Sequence, residues 1–331
     1  MLKNKALLSS FFGFSFLLTS CGETVQVTNN RKFCFDTFYT ISYYNEKNVN
    51  DDLFDKKLQS MSDVFDKYDE DEDPTFGYHS IYTINNHKDE FVEINEDLYL
   101  ILNLCKEYEI LTLGYFNPLI GKLSDLWKES LKKPAVLDYF SISTELEAIE
   151  NSSYELKKEG EKYYCKLTGD AELDLGACAK GYSLDALEKL FEENNVKNYI
   201  VDAGQSSILL KGKNGNNLFN IGLYGTNSYI NISDIFMGTS GTSEQGVTID
   251  GIKYSHIINP FDGTAINNYD YVSVFGDNGF KTDVLSTIFM LLEIDEIKTF
   301  EEKFDVKAIA YKDNKFVYVN KNIEVLQHNA Q

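Results

Sequence analysis

The sequence predicts an α/β protein, α+β in the looser sense, with mixed sheets and helices in two closely packed lobes. Three observations point there. Strand-like and helix-like stretches alternate irregularly along the chain, with neither strict βαβ repetition nor an internal repeat. Hydrophobic residues make up 43% of the 331 residues and aromatics 14%, enough apolar surface for a sizeable core. At about 150 residues per domain, that length suits one large unit or two intimate ones.

The elements follow in order. Lys3 and Lys5 precede an apolar run over residues 6–18, which ends in Leu18-Thr19-Ser20-Cys21. A basic start, a short apolar stretch and small residues at its end are the parts of a secretory signal. The run is too short to span a hydrocarbon core. Cysteine directly after Leu-Thr-Ser resembles the lipobox of bacterial lipoproteins, which implies cleavage before Cys21 and lipid on it. The expected organisation is a signal at 1–20, a lipidated cysteine and polar tether at 21–32, and one folded body at 33–325. The expected location is extracytoplasmic, anchored to a bacterial membrane.

Residues 35–44 are rich in aromatic and β-branched side chains and predict a strand. Phe54, Leu58, Met61 and Phe65 recur at helical spacing and predict an amphipathic helix over 51–68. Five acids at 69–73 follow, closed by Pro74. They imitate a calcium loop, but Pro74 stands where the EF-hand needs Gly and Ser80 where it needs Glu. A solvated acidic loop is the better reading. A second helix, 95–112, carries Leu98, Ile101, Leu102 and Cys105 on one side. Asn117-Pro118 opens a third segment through Trp127, and residues 141–160 form a polar interval. A strand at 163–167, a glycine turn at 176–181, a helix at 182–193 and a strand at 198–202 come next. Short strands run through 258, then a strand at 271–275, a helix at 283–292 and a strand pair at 306–319.

The charge is −21, from 31 Lys+Arg against 52 Asp+Glu. Such a chain repels phosphate backbones, which excludes nucleic acid as a partner. An anionic small molecule needs a local cation or backbone amides to bind. Apart from Cys21, the cysteines are Cys34, Cys105, Cys165 and Cys178, without C-x-x-C spacing. All four lie in apolar or periodic segments, so free thiols are expected rather than disulfides or a zinc site. Phosphate-loop, dinucleotide-turn, H-E-x-x-H and G-x-S-x-G motifs are all missing.

Three constellations remain. Asp174-Leu175-Gly176-Ala177-Cys178-Ala179-Lys180-Gly181 lies between a strand and a strong helix. Its small residues either serve a tight turn or let backbone amides approach a ligand, with Lys180 as a cation. In Tyr254-Ser255-His256-Ile257-Ile258-Asn259-Pro260 a strand ends in a turn, and His256 is a general base, a ring contact or a structural histidine. In Thr282-Asp283-Val284-Leu285-Ser286-Thr287, Asp283 and Thr287 share a helix face. They either offer hard oxygens to Mg²⁺ or belong to a cap with Thr282 as N-cap.

In this order the segments resemble the ApbE-type family of FAD:protein FMN transferases, from residue 35 to 319. The opening strand matches 36–41, and F-D-P-x-x-G-x-L…W resembles 116–123 with Trp127. The turn L-G-x-x-A-K-G-Y-x-x-D matches Leu175 through Asp185. Ser240-Gly241 matches the S-G segment, S-H-I-x-[DN]-P-x-x-G stands unaltered at 255–263, and A-D-x-x-[ST]-T resembles 282–287. The chain departs at Asn117 (usually Asp), Asp202 (usually Asn), Gln205 (usually Gly) and Thr282 (usually Ala). The resemblance implies an ApbE-like fold and Mg²⁺-dependent transfer of FMN from FAD to a Thr or Ser hydroxyl of an exported protein, with release of AMP. It implies a metal held by Asp283, Thr287 and the backbone of Ala177, and catalytic roles for His256, Lys180 and Asp283. Tyr39, Asn85, Asn117, Asp174, Gly176, Lys180, Gly204, Ser240 and His256 would line the cofactor pocket. The competing expectations are an FAD pyrophosphatase and a non-catalytic flavin-binding lipoprotein.

Overall fold

The computed structural model describes residues 25–68, 78–242, 246–265 and 267–328. The signal, Cys21 and the acid run at 69–73 lie outside them. The first described element is a hairpin, β1 (Val27–Cys34) and β2 (Thr37–Tyr44), whose turn holds Phe35 and Asp36 at φ 50° and 55°. A two-residue turn with both φ positive matches the twist of the strands it joins. Most of β1 falls where a tether was expected. Its side chains are largely exposed, so hydropathy does not mark it; residue-by-residue pairing with β2 does.

Helix α1 (Asp51–Phe65) buries Phe54, Leu58, Met61 and Phe65, as their spacing predicts. After α2 (Ile81–Asn86) and β3 (Val92–Ile94), α3 (Glu96–Leu111) starts at Asn95, whose side chain accepts from Leu98 N at 2.8 Å. Helix α4 (Gly121–Lys132) carries Trp127. The interval expected to be a polar separator instead forms α5 (Tyr139–Glu150) and β4 (Ser153–Glu159), the helix started by Asp138 accepting from Ser141 N at 3.0 Å. With β5 (Lys162–Thr168) these complete a small sheet, β3-β5-β4.

Helix α6 (Ala179–Glu193) follows the glycine turn. Then come β6 (Tyr199–Ala203), β7 (Ser207–Lys211), β8 (Phe219–Gly222), β9 (Ser228–Ile232), β10 (Ile235–Gly241), β11 (Val247–Ile249), β12 (Ile252–Tyr254) and β13 (Tyr271–Gly276). Helices α7 (Gly279–Phe289) and α8 (Ile294–Phe304) and strands β14 (Lys307–Lys312), β15 (Lys315–Val319) and β16 (Leu326–Gln327) finish the order. The main sheet runs β1-β2-β6-β7-β10-β13-β14-β15, with every neighbouring pair antiparallel.

The two expected lobes share one core, which joins Ile94 and Cys165 of the small sheet to Val201 and Val274 of the large one through α1, α3, α6 and α7. A second cluster stacks Trp127 on Tyr254, 5.8 Å between centroids, and a third gathers Leu223, Met237, Phe275 and Ile309. Cys34, Cys105, Cys165 and Cys178 are buried free thiols. The cap of α7 is not Thr282. Asn278 takes that place, accepting from Lys281 N at 2.8 Å, so Asp283 sits a full turn inside the helix.

Candidate active site

A cavity of about 610 Å³ opens where the glycine turn, the β6–β7 turn, the end of β10, the 256–260 loop and α7 converge. Its centre is set by a close helix pair. Gly181 of α6 and Gly279 of α7 touch through their backbones, and a Cβ on either would overlap the other's carbonyl. Each helix lends an acid to the other's start. Asp283 of α7 accepts from Gly181 N at 2.6 Å, while Asp185 of α6 accepts from Gly279 N and Phe280 N at 2.6 and 2.9 Å.

Asp283 also accepts from Ser207 Oγ at 2.8 Å. Burial pushes its carboxyl up to about 6, against the pull of Lys180, Ser207 and Gly181 N. It makes no direct ion pair among the described residues. Lys180 stands on the cavity wall and donates to Ser206 Oγ. Thr287, one turn beyond Asp283, shares Ser240 Oγ at 3.0 Å. Burial raises Asp174 too, but Lys67 and Lys128 outweigh it and hold the carboxyl below its usual range. Asp174 meets Lys67 Nζ at 2.8 Å and accepts from Gly176 N at 2.7 Å, which fixes the glycine turn. Burial first, then Lys128 and Lys180, push His256 down to about 4, so its ring is neutral near pH 7. Its Nδ1 has no partner among the described residues.

Of the expected site residues, Asn117, Asp174, Gly176, Ala177, Lys180, Ser240, His256, Asp283 and Thr287 all line this cavity. Three expected lining residues do not. Tyr39 is wholly buried because β2 alternates and turns it inward, where its hydroxyl meets Ser183 Oγ at 2.8 Å. Asn85 is a clamp: its amide donates to Leu173 O at 3.0 Å and accepts from Leu173 N at 2.8 Å. Gly204 makes the β6–β7 turn at φ +66° hard against Thr37, and Gln205, Ser206 and Ser207 reach the cavity instead. No motif marks Lys67, which lies two residues past α1 yet bonds Asp125 Oδ1 at 2.8 Å and Gly121 O at 3.0 Å as well as Asp174.

The donor set fits Mg²⁺. A buried carboxylate lacking a direct cationic partner, a hydroxyl one turn away and the carbonyl of Ala177, which also lines the cavity, are hard oxygens. Among the described residues no three His, Cys, Asp or Glu side chains gather, so such an ion would draw its other ligands from phosphate or water.

A model of the ApbE family matches residues 35–310. The chain belongs to the ApbE family. The FAD:protein FMN transferase of Treponema pallidum is 27% identical over 221 residues, which cover 61% of this chain and 61% of that protein. That of Vibrio cholerae is 24% identical over 300 residues, 83% of this chain and 84% of its own. The crystal structure of the ApbE protein from Thermotoga maritima superposes with a TM-score of 0.73 at 21% identity, over 91% of this chain and 97% of that one. The flavin transferase ApbE of Vibrio cholerae gives 0.72 at 22%, over 90% and 98%. At these identities the solved structures establish the ApbE fold.

Proposed function

We propose that this ApbE family member is a transferase that moves FMN from FAD onto a Thr or Ser hydroxyl of an exported protein, releasing AMP, while lipid on Cys21 holds it at the extracytoplasmic face of the membrane. The observation that carries the reading is Asp283, a buried carboxylate opposite Lys180 in a cavity roomy enough for a dinucleotide. In so acidic a chain, linked phosphates need a positive centre. Lys180 would supply one, and Asp283, Thr287 and the Ala177 carbonyl would hold Mg²⁺ as another. When bound, the ion would act as a Lewis acid on the phosphates.

This chain's own residues do the rest. The acceptor oxygen bonds to the FMN phosphorus as the bond to the AMP oxygen breaks, and the hydroxyl proton leaves. The neutral His256 ring, whose Nδ1 has no partner among the described residues, would orient that hydroxyl and take the proton once bound phosphates raise the basicity that burial depresses. Ser206 and Ser207 keep Lys180 and Asp283 aimed into the cavity. Asn117, whose Oδ1 accepts from Leu119 N at 2.9 Å, is fixed on the wall for a ring contact.

The test incubates the full chain with FAD, MgCl₂ and an exported flavoprotein carrying the acceptor Thr, then weighs the acceptor by mass spectrometry. Gain of one FMN with an equal amount of AMP is expected, and Asp283→Ala should slow it on the order of a hundredfold. AMP and free FMN without labelled acceptor would mean hydrolysis; FAD left intact would mean a binding protein.

A further inference from the structure

The cavity reaches both faces of the main sheet. Ser240 of β10 faces α7, where its Oγ meets Ser286 and Thr287 at 2.8 and 3.0 Å. Its neighbour Thr239 faces the opposite way and pairs with Ser273 Oγ of β13 at 2.9 Å. Tyr271, two residues from Ser273 and opposite Gly241, shares that second face. Pairing of β7 with β10 ends at Ser207↔Gly238, so beyond Gly238 β10 keeps β13 on one side and has no strand on the other. The cavity passes through that gap, since Asp283 and Tyr271 both line it.

On the second face it ends at an aromatic wall. Tyr271 stacks on Tyr311, with centroids 4.9 Å apart and planes 19° apart, and meets Tyr224 edge-on at 6.3 Å. Tyr311 is fixed in turn, donating to Gly225 O at 3.2 Å. Tyr224 is 70% exposed at the rim, whereas Tyr271 is 5% exposed. The Tyr271 hydroxyl is buried and has no hydrogen-bond partner among the described residues. A buried phenol without a partner is costly, and such groups in native structures usually have a reason. Gln205, Ser206 and Thr239, which also line the cavity, are uncharged, and Lys180 reaches it from the other side through Ser206 Oγ. At Tyr271 itself a flat polar-edged ring finds both a π surface and a hydroxyl that donates or accepts.

We propose that Tyr271 is a specificity-determining residue, its hydroxyl bonding the polar edge of a nitrogen-heterocyclic ring seated in this arm. The inference rests on the transferase reading, because the ring is one of the two in the dinucleotide substrate. Whichever ring lies here, the linked phosphates run back through the gap to Lys180 and Asp283.

The experiment titrates FAD, FMN and ADP separately into the full chain and into Tyr271→Phe, by calorimetry, and records thermal unfolding of both proteins. Removing one neutral hydrogen bond should weaken FAD about threefold to tenfold. The same loss should appear with FMN alone if the flavin occupies the arm, or with ADP alone if the adenine does. Ligand-free Tyr271→Phe should melt at the wild-type temperature or above, since an unpartnered hydroxyl has gone; a purely structural hydroxyl predicts a lower one. Unchanged FAD affinity, equal losses for FMN and ADP, or a destabilised apoprotein would overturn the proposal. Failure of the wild type itself to bind FAD would instead overturn the transferase reading, and this inference with it.

Discussion

At the scale of single residues, the site is governed by buried carboxylates that keep few direct cationic partners. Asp185 is the clearest. Burial drives its carboxyl up to about 7, although Phe280 N and Gly279 N favour the ionised form, and Glu188 and Asp283 push the same way as burial. The folded state thus holds the proton more tightly than the unfolded chain. Its contribution to stability is complete below the ordinary carboxylate value and is lost as pH rises from about 4 through about 7. Asp185→Asn cannot ionise, so urea unfolding should show the variant gaining on the wild type over that window, by at most ~4 kcal/mol. At low pH the variant should be the weaker, because one of its amide ends faces an N–H. A gap that does not change with pH would mean the carboxyl is ordinary. The sequence placed Asp185 in its motif but could not say whose amides it serves, since they lie on a different helix.

At the scale of elements, the α6–α7 contact decides whether the site exists. Gly181 and Gly279 have ordinary φ values and are required by proximity rather than by conformation. A Cβ on Gly181 would also crowd Asp283 Cγ at 2.9 Å. Gly181→Ala should therefore cost ~3 kcal/mol in urea unfolding and abolish FAD binding, because the helices must part by a methyl's width. Gly222→Ala is the control: nothing lies within 4 Å of its Cβ position, so it should change neither. Equal effects from both substitutions would remove the contact from the account. What the sequence disclosed and what it hid divide along the same line. Helices α1 and α3 were legible because burial imposes its own period on them. Strand β1 and helix α5 were not: β1 is polar and gains its shape from β2, and α5 buries only Ile142 and Glu145. The start of α7 was misplaced by four residues because Thr282 looks like a cap, while Asn278, with Gly279 after it, is the one that accepts the bond.

At the scale of the whole molecule, the sheet has β1 at one edge, and the cavity opens near its middle, lined by Ser207 of β7, Ser240 of β10 and Tyr271 of β13. The distinction between tether and fold is therefore measurable. All eight residues of β1 pair with β2, and Cys34 at its end is buried. A chain starting at residue 25 keeps this ladder and should melt within ~2 °C of the full chain, with FAD binding unchanged. A chain starting at residue 36 loses it and leaves β2 as a bare edge beside Phe38, itself 48% exposed. That protein should melt roughly 5–10 °C lower and aggregate, as expected for losing ~3 kcal/mol from a large domain. It should still bind FAD while folded, because the main cavity has no wall on β1 or β2. Equal melting of the two truncations would return residues 27–34 to the tether. Loss of FAD binding without loss of stability would show that the hairpin acts on the site directly, through Phe35, which lines a smaller cleft that adjoins the glycine turn.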